Sequence, residues 1–597
     1  MKLTALSKIL ISLVVVGAVG AGLYLNRDKL APGARKVDSN VPPTAQLPDT
    51  PTASDPKAPP AQPPAAMPEP KAGCTDKPEV RFYVWAWNAQ MGIMHATGGK
   101  QAAEGSLMCK RGVNLKLVRE DNTDNMASLL LAFAEALKGG EKNPPKGAHF
   151  IAIMGDGSAA FFKGINDRLA KLGPEYEVEV VGSAGYSRGE DKFMGPPAWR
   201  DNPQNARGGL VAGVLRDGDW NIAMKWLGDN KIPNNPDEST YDPDALNWVG
   251  ASDYIDAAQK YVSNFCAELK NKKTGIKERH CVEGVVTWTP GDVTAAENKG
   301  GLASIVSTKE YRSQMPNVII GSKKWMKDNR ELVKGMLAAI FEGGDAVKTD
   351  EKALDHGADV SALVYAEKDG GYWKKYFTPQ LEKDKQGMMV SLGGSAVNNL
   401  ADNLQLFGLV PGSTNLFAAT YNVFGNIVKS QYPDLMPSFY PVEDILDTSY
   451  VKELNTTAPA PTAPDLPKFA PSAKVEKVVS RKSWDIQFQV GSANFTPQAT
   501  AELRTLLSDL VIAGGTLVEI HGHTDNQGNV DKNMQLSEDR AFAVKKWLEA
   551  QSASNFPQGR VKVFSHGPTQ PLESNATSEG RAKNRRVEIV LGTAMNN

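Results

Sequence analysis

An arginine stands where the local spacing asks for a hydrocarbon. From about Asn533 to Ala550 the chain reads as a helix. At about 100° per residue, Leu536, Val544, Trp547 and Leu548 share one face, and Glu538, Lys545 and Glu549 the other. Arg540 falls inside the apolar face. A guanidinium there is costly unless an anion answers it. Periodicity leaves two answers open: an internal ion pair, which Asp525 could supply, or an anionic group on a ligand. His521 and His523 sit two apart on a strand and share a side. A zinc pair and a hydrogen-bonding role are both open there, the second being the default.

A second set of chemically able residues follows short apolar runs in the middle of the chain. These are Trp87, Asn88, Ser158, Tyr186, Arg188, Asp253, Trp288 and Thr289. Each stands at or near the end of a run that reads as a strand, where open α/β sheets bind ligands. Hydroxyls, helix-start N–H groups and an arginine suit an oxyanion; tryptophans in such places are more often core. The run Arg188-Gly189-Glu190-Asp191-Lys192 reads first as a solvated charged loop, and Gly155-Asp156-Gly157 as a tight turn. No G-x-S-x-G, H-E-x-x-H or phosphate-binding loop occurs. The chain therefore reads as no enzyme, with no cofactor and no resident metal.

The elements that must position these residues alternate strand and helix. In the middle region the strand readings are Val80 to Val84, Val113 to Val118, His149 to Met154, Tyr176 to Val181, Asn247 to Gly250 and Val282 to Trp288. Helices lie between them, one from Asn125 to Leu137 capped by Asp124. The expectation is a mainly parallel sheet. Toward the C-terminus, Ser483 to Val490 alternates as a strand, Thr496-Pro497 opens a helix, and Leu517 to His521, Arg560 to Ser565 and Arg586 to Leu591 are further strands. That order suggests a small α/β sandwich.

Two proline-rich stretches divide the chain. Residues 37–72 hold the pairs Pro42-Pro43, Pro59-Pro60 and Pro63-Pro64. They cannot bury enough apolar area to fold, and in polyproline II they would reach about 110 Å. Residues 455–474 repeat the pattern with Pro459, Pro461, Pro464, Pro467 and Pro471. The expected parts are a membrane segment at 1–30, a linker at 37–72, a two-lobed domain at 73–454, a linker at 455–474 and a small domain at 475–597.

Composition bounds the partners. The 597 residues carry 67 Lys+Arg and 68 Asp+Glu, a net charge of −1. That balance argues against nucleic acid, which usually requires a basic face. Ile9 to Leu25 contains no charged residue and is flanked by Lys2, Lys8, Arg27 and Lys29. It reads as an inner-membrane signal anchor, with a cleaved signal peptide at Val19-Gly20-Ala21 as the alternative; either way the rest is exported. An ion-driven stator would need an acidic residue in that segment, and none is there. Cys74, Cys109, Cys266 and Cys281 allow three pairings. Cys74–Cys109 with Cys266–Cys281 is the expectation, and four buried thiols the alternative.

Two resemblances sharpen this. His523-Thr524-Asp525-Asn526-Gln527-Gly528, Asn533, Leu536-Ser537-Glu538-Asp539-Arg540-Ala541 and Asn584-Arg585-Arg586-Val587 resemble the OmpA C-terminal peptidoglycan-binding domain, over about Val475 to Leu591. The resemblance implies that Asp525 takes the ammonium and Arg540 the carboxylate of the diaminopimelate stem peptide. Thr524 and the helix start near Asn533 would lie beside them. The order Val282 to Trp288, Thr289-Pro290-Gly291, Gly300-Gly301 and Asn317 to Ser322 is similar to periplasmic substrate-binding proteins of the nitrate, sulfonate and taurine type. That likeness implies a two-lobed, non-catalytic binder of a small solute, with an ABC permease as partner. The alternative is a membrane-to-wall strut whose middle region binds nothing.

Overall fold

A computed structural model describes residues 67–457 and 461–594. The apolar run at Ile9 to Leu25 and most of the first proline-rich stretch lie outside the described residues. Among those described, no helix is long and apolar enough to cross a membrane.

Two sheets form the larger part. The first comprises β1 (Glu79–Val84), β2 (Asn114–Arg119), β3 (Phe150–Met154), β4 (Val178–Ser187), β13 (Pro316–Ser322) and β16 (Ser395–Val397), in the order β16-β4-β13-β3-β1-β2. All of β3, Phe-Ile-Ala-Ile-Met, is buried, as befits a strand covered on both faces. The second comprises β5 (Lys192–Gly195), β6 (Leu210–Gly213), β8 (Asn247–Gly250), β11 (Gly284–Thr287) and β12 (Ala303–Ser307), in the order β12-β5-β11-β6-β8. The chain crosses from first to second sheet between β4 and β5, and returns between β12 and β13. Neither sheet is mainly parallel as expected. The strands flanking each crossing, β4, β5, β12 and β13, run antiparallel to their neighbours, because a strand that carries the chain between sheets reverses direction in the one it enters.

Smaller pieces complete this region. Strands β7 (Thr240–Tyr241), β9 (Cys266–Asn271) and β10 (Lys277–Cys281) form a side sheet, and β14 (Gln380–Lys383) with β15 (Met389–Leu392) a hairpin. Cys266 and Cys281 sit opposite each other in the β9–β10 register and form a disulfide; Cys74 and Cys109 form another. The first long helix, Thr123–Lys138, is capped by Asn122, not Asp124: the Asn122 side chain accepts from Asn125 N–H at 3.0 Å.

The C-terminal sheet has β17 (Lys477–Trp484), β18 (Leu517–His523), β19 (Val561–Gly567) and β20 (Val587–Thr593), in the order β17-β20-β18-β19. Helices Ala499–Ile512 and Val530–Gln551 pack with it. The expected strand at 483–490 is displaced toward the N-terminus. Trp484 pairs with Val587, the first residue of β20, so beyond it no partner backbone remains. The alternating residues that follow form a loop in which Phe488 bridges Phe495.

The second proline-rich stretch begins later than expected, since helix Ser449–Thr457 runs into it. Its described part is bonded to the body. Thr462 N–H donates to Asp345 at 3.0 Å, Asp465 N–H to Asp402 at 3.0 Å, and the Asp465 carboxylate pairs with Arg312. Helix Ala499–Ile512 then rests on the larger part. Lys225 Nζ lies 2.5 Å from Asp509 and 3.1 Å from Asp229, which also accepts from Tyr311 Oη at 2.9 Å. Ser313 N–H donates to Ile512 O, and Gly515 N–H to Glu310 O, both at 3.1 Å.

Burial alone would depress the Lys225 pKa; Asp229 and Asp509 outweigh it and raise it. Lys225→Met would take the cation away from the buried Asp229 and the partly buried Asp509. Chemical denaturation should show a loss of about 3–5 kcal/mol, whereas Lys324→Met, at a surface pair with Asp328, should leave the denaturation midpoint nearly unchanged.

Candidate functional site

Two places hold buried polar groups that the fold itself does not satisfy. The first is in the C-terminal domain. Strand β18 ends at His523 and delivers Thr524 and Asp525, both buried, beside helix Val530–Gln551. The approach is close: a Cβ on Gly522 would lie 2.0 Å from Ser537 O, so only glycine fits. Asp525 Oδ1 accepts from Gln527 N–H at 3.0 Å and Oδ2 from Arg585 Nη1 at 2.7 Å. Thr524 Oγ1 has no partner among the described residues. Asn533 does not sit at the helix start, which is Val530; its N–H is bonded to Asn529 O. Its side chain instead donates to Gln527 O at 2.9 Å, holding the Asp525 loop.

Arg540 is 7% exposed. It does not pair with Asp525. Its Nε donates to Ser492 O at 3.1 Å, and its guanidinium lies 5.1 Å from the centre of the Phe488 ring. Among the described residues its two terminal nitrogens make no hydrogen bond or ion pair. Burial, then the nearby Arg585 cation, pulls its pKa below the ordinary value, while Asp525 opposes them. Arg560 is the contrast within the same domain. Fully buried, it spends its fork on the carbonyls of Leu510, Ala513, Asn555 and Thr516. One arginine caps a helix; the other presents an open fork near a carboxylate. Such a pair suits a ligand carrying both an anionic and a cationic end.

The paired histidines include a third that the sequence reading missed. His521 Nδ1 is 2.8 Å from His566 Nε2, and His521 Nε2 is 3.1 Å from Glu519. His523 stacks on His566, and burial, then Arg586, holds it neutral with a pKa of about 3. No group of three or more His, Cys, Asp or Glu among the described residues is arranged to hold a metal.

The second place lies between the two sheets of the larger part, at the carboxyl ends of their strands. Trp87 and Asn88 follow β1 and are fully buried; the Trp87 Nε1 and both Asn88 amide atoms have no partner among the described residues. Trp288 follows β11, donates across the sheets to Ala86 O at 3.2 Å and stacks on Trp85. Thr289 donates to Asp292 at 2.8 Å, and Ser158 to Gly155 O. Asp253 is a helix cap, accepting from Asp256 N–H at 2.8 Å. Tyr186 and Arg188 lie against each other, but Arg188 faces Arg312 O and Asp465 on the bonded proline-rich stretch.

Carboxylates occupy the place between the sheets. Glu190, Asp191 and Lys192, expected in a solvated loop, are buried because this run is the crossing from β4 to β5. Lys192 is committed to Asp292 at 2.5 Å. Asp156 follows β3, and Asp219 begins helix Gly218–Asp229 after β6. A Cβ on Gly218 would lie 2.3 Å from Met154 Sδ and 3.1 Å from Asp156 Oδ1, so the start of this helix sits against Asp156. Burial holds Asp156 and Asp219 well above the ordinary carboxylate range, and the neighbouring Asp191 and Asp217 add to the rise in both. Burial raises Asp191 to about 6 and Asp217 to about 6. The expected oxyanion contact loses its cation here. Sequence spacing does mark Asp156 and Asp219, since both follow apolar runs, but nothing in it says that the runs converge.

Known proteins similar to this chain fall into two groups. Residues 487–585 match the OmpA family. The peptidoglycan-binding protein ArfA of Mycobacterium tuberculosis is 33% identical over 146 residues, 24% of this chain and 43% of its own length. The probable lipoprotein YiaD of Escherichia coli is 36% identical over 107 residues, 18% of this chain and 48% of its own. The chain thus spans less than half the length of these curated relatives. The structural neighbours of the N-terminal part are ABC-type substrate-binding proteins. One is the periplasmic nitrate-binding protein NrtA of Synechocystis, 10% identical with a TM-score of 0.38, covering 62% of this chain and 92% of that one. The chain is mixed α/β and carries an OmpA-family domain at its C-terminus.

A pH dependence follows from the raised carboxylates. For Asp191 and Asp217 the folded pKa of about 6 lies above the unfolded value of about 3.9, so their contribution is full below the unfolded value and lost as pH rises through the folded one. The groups facing Asp191 are Asp219, Ser187, Lys192 and Trp87. The melting temperature of the ligand-free chain should fall between about pH 4 and 6, and Asp191→Asn should flatten that fall.

Proposed function

We propose that this chain is a non-catalytic cell-envelope protein that grips peptidoglycan through Asp525 and Arg540 and holds a small solute between the sheets of its larger part. The observation that carries the first half is Arg540: buried, charged and without an anionic partner among the described residues, beside an aspartate. A diaminopimelate-bearing stem peptide offers a carboxylate to Arg540 and an ammonium to Asp525. Thr524, with its unpartnered hydroxyl, lines the same place, and Asn533 positions the loop. The resemblance of ArfA, a peptidoglycan-binding protein by name, supports the same reading. A polymer offers many such sites, so a weak single contact suffices for retention.

The second half rests on the unpartnered polar atoms between the sheets. A strut that bound nothing would gain nothing from leaving them unsatisfied, since each costs about 1–3 kcal/mol. In this reading Ile9 to Leu25 anchors the protein in the inner membrane, the bulk is periplasmic, and an ABC permease is the partner that receives the solute.

Sedimentation of the full chain with diaminopimelate-type peptidoglycan tests the grip. Arg540→Ala and Asp525→Ala should each lower the bound fraction by about tenfold or more, the value of one lost charge-assisted contact. Arg585→Ala, removing a half-exposed neighbour, should cost less. Equal sedimentation of all four chains would show the site to be elsewhere.

A further inference from the structure

We infer that the solute held between the two sheets is an organic cation bearing N–H donors, a primary ammonium or a guanidinium, and not an oxyanion. This rests on the solute-binding reading above and names its ligand class.

Unpartnered acceptors at this place outnumber the unpartnered donors Trp87 Nε1 and Asn88 Nδ2. Asp156 Oδ1, both oxygens of Asp191, Asp219 Oδ1, Asn221 Oδ1 and Gln314 Oε1 are buried without a hydrogen-bond partner among the described residues. These six acceptors belong to one cluster. Gln314 donates to the other oxygen of Asp156 at 2.7 Å, and Asn221 donates to Asp156 O at 3.2 Å. Asp191 and Asp156 both act on Asp219, and Trp87 lies against Asp191. Each of the four, Asp156, Asp191, Asn221 and Gln314, is at most 1% exposed, and Asp219 is 3% exposed. Lys192, next to Asp191 in the chain, is spent on Asp292.

A buried acceptor is satisfied only by a donor, and a buried carboxylate only by a proton or a positive charge. Nitrate, sulfate or a sulfonate would add acceptors and negative charge to a place already in excess of both. A quaternary ammonium would bring charge without N–H groups. A primary ammonium brings three donors, and a guanidinium five. The aromatic surround fits the same ligand: the Trp87 indole borders Asp191, and Trp85 stacks on Trp288 where β1 and β11 end. Indole faces attract cations. Without ligand Asp156 and Asp219 tend to hold protons, as burial dictates; a bound cation replaces those protons.

Calorimetric titration of the full chain at pH 7.5 with putrescine, agmatine, nitrate, sulfate and methanesulfonate tests this. Putrescine or agmatine should bind, the three anions should not, and Asp156→Asn and Asp219→Asn should each weaken cation binding at least tenfold. Both variants remove repulsion without changing shape, so the ligand-free melting temperature should hold or rise, which separates lost binding from lost folding. Binding of an anion with no response to either cation would overturn the cation assignment and leave the solute reading standing. Cation binding unchanged in both variants would also overturn it. A chain that binds none of the five would overturn both.

Discussion

Taking an ion out of water costs several kcal/mol unless a counter-charge or a full set of hydrogen bonds replaces the hydration shell. This chain buries ions repeatedly, and the way each is answered separates scaffold from site. Arg560 is answered by four carbonyls, Lys192 by Asp292, and Lys225 by Asp229 and Asp509. Those groups are closed, and their work is to fix geometry. Arg540 and the carboxylates Asp156, Asp191 and Asp219 are left open. Since an unanswered buried charge persists only when the surrounding fold enforces it, the open ones are the places where the structure awaits a partner.

The enforcement is visible in the backbone. At Gly522 and at Gly218 a single Cβ would collide with the facing element. The absence of a side chain is what lets strand β18 and its helix set Asp525 near Arg540, and what lets a helix of the second sheet set its start against Asp156 in the first. The two open sites also differ in sign and form. The C-terminal one couples a cation with a carboxylate that already has a half-exposed arginine, which suits a two-ended ligand. The inter-sheet one gathers carboxylates and amide oxygens, which suits a donor.

The crossings join these sites to the rest. The run from Ser187 to Lys192 connects β4 to β5 and carries Asp191; the return from β12 to β13 carries Gln314. The same return segment accepts helix Ala499–Ile512 through Glu310 and Ser313, and the proline-rich stretch through Arg312. A movement of one sheet against the other would act on these contacts directly, because the return crossing touches the carboxylate cluster through Gln314 and helix Ala499–Ile512 through Ser313.

Much of this was legible in the sequence where chemistry is local. Arg540 announced itself because helical periodicity is a property of neighbours, and a charge inside an apolar stripe breaks it. The alternation of strand and helix and the positions of Trp87, Asn88 and Trp288 at strand ends followed from the same kind of pattern. Other readings failed where a distant segment decides. Ser483 to Val490 alternates like a strand, yet only the part facing β20 has a backbone to pair with. Glu190, Asp191 and Lys192 look solvated by composition, yet a crossing between sheets buries them. Arg188, chosen as the anion contact, turned to Asp465 and Arg312, far along the chain. What the sequence by itself determined was the kind of elements and the identity of the misplaced guanidinium, since both depend on spacing within a few turns. Which charges meet, which stay unanswered, and hence the sign of the ligand, only the tertiary structure decided, because an ion's cost is set by everything that displaces its water.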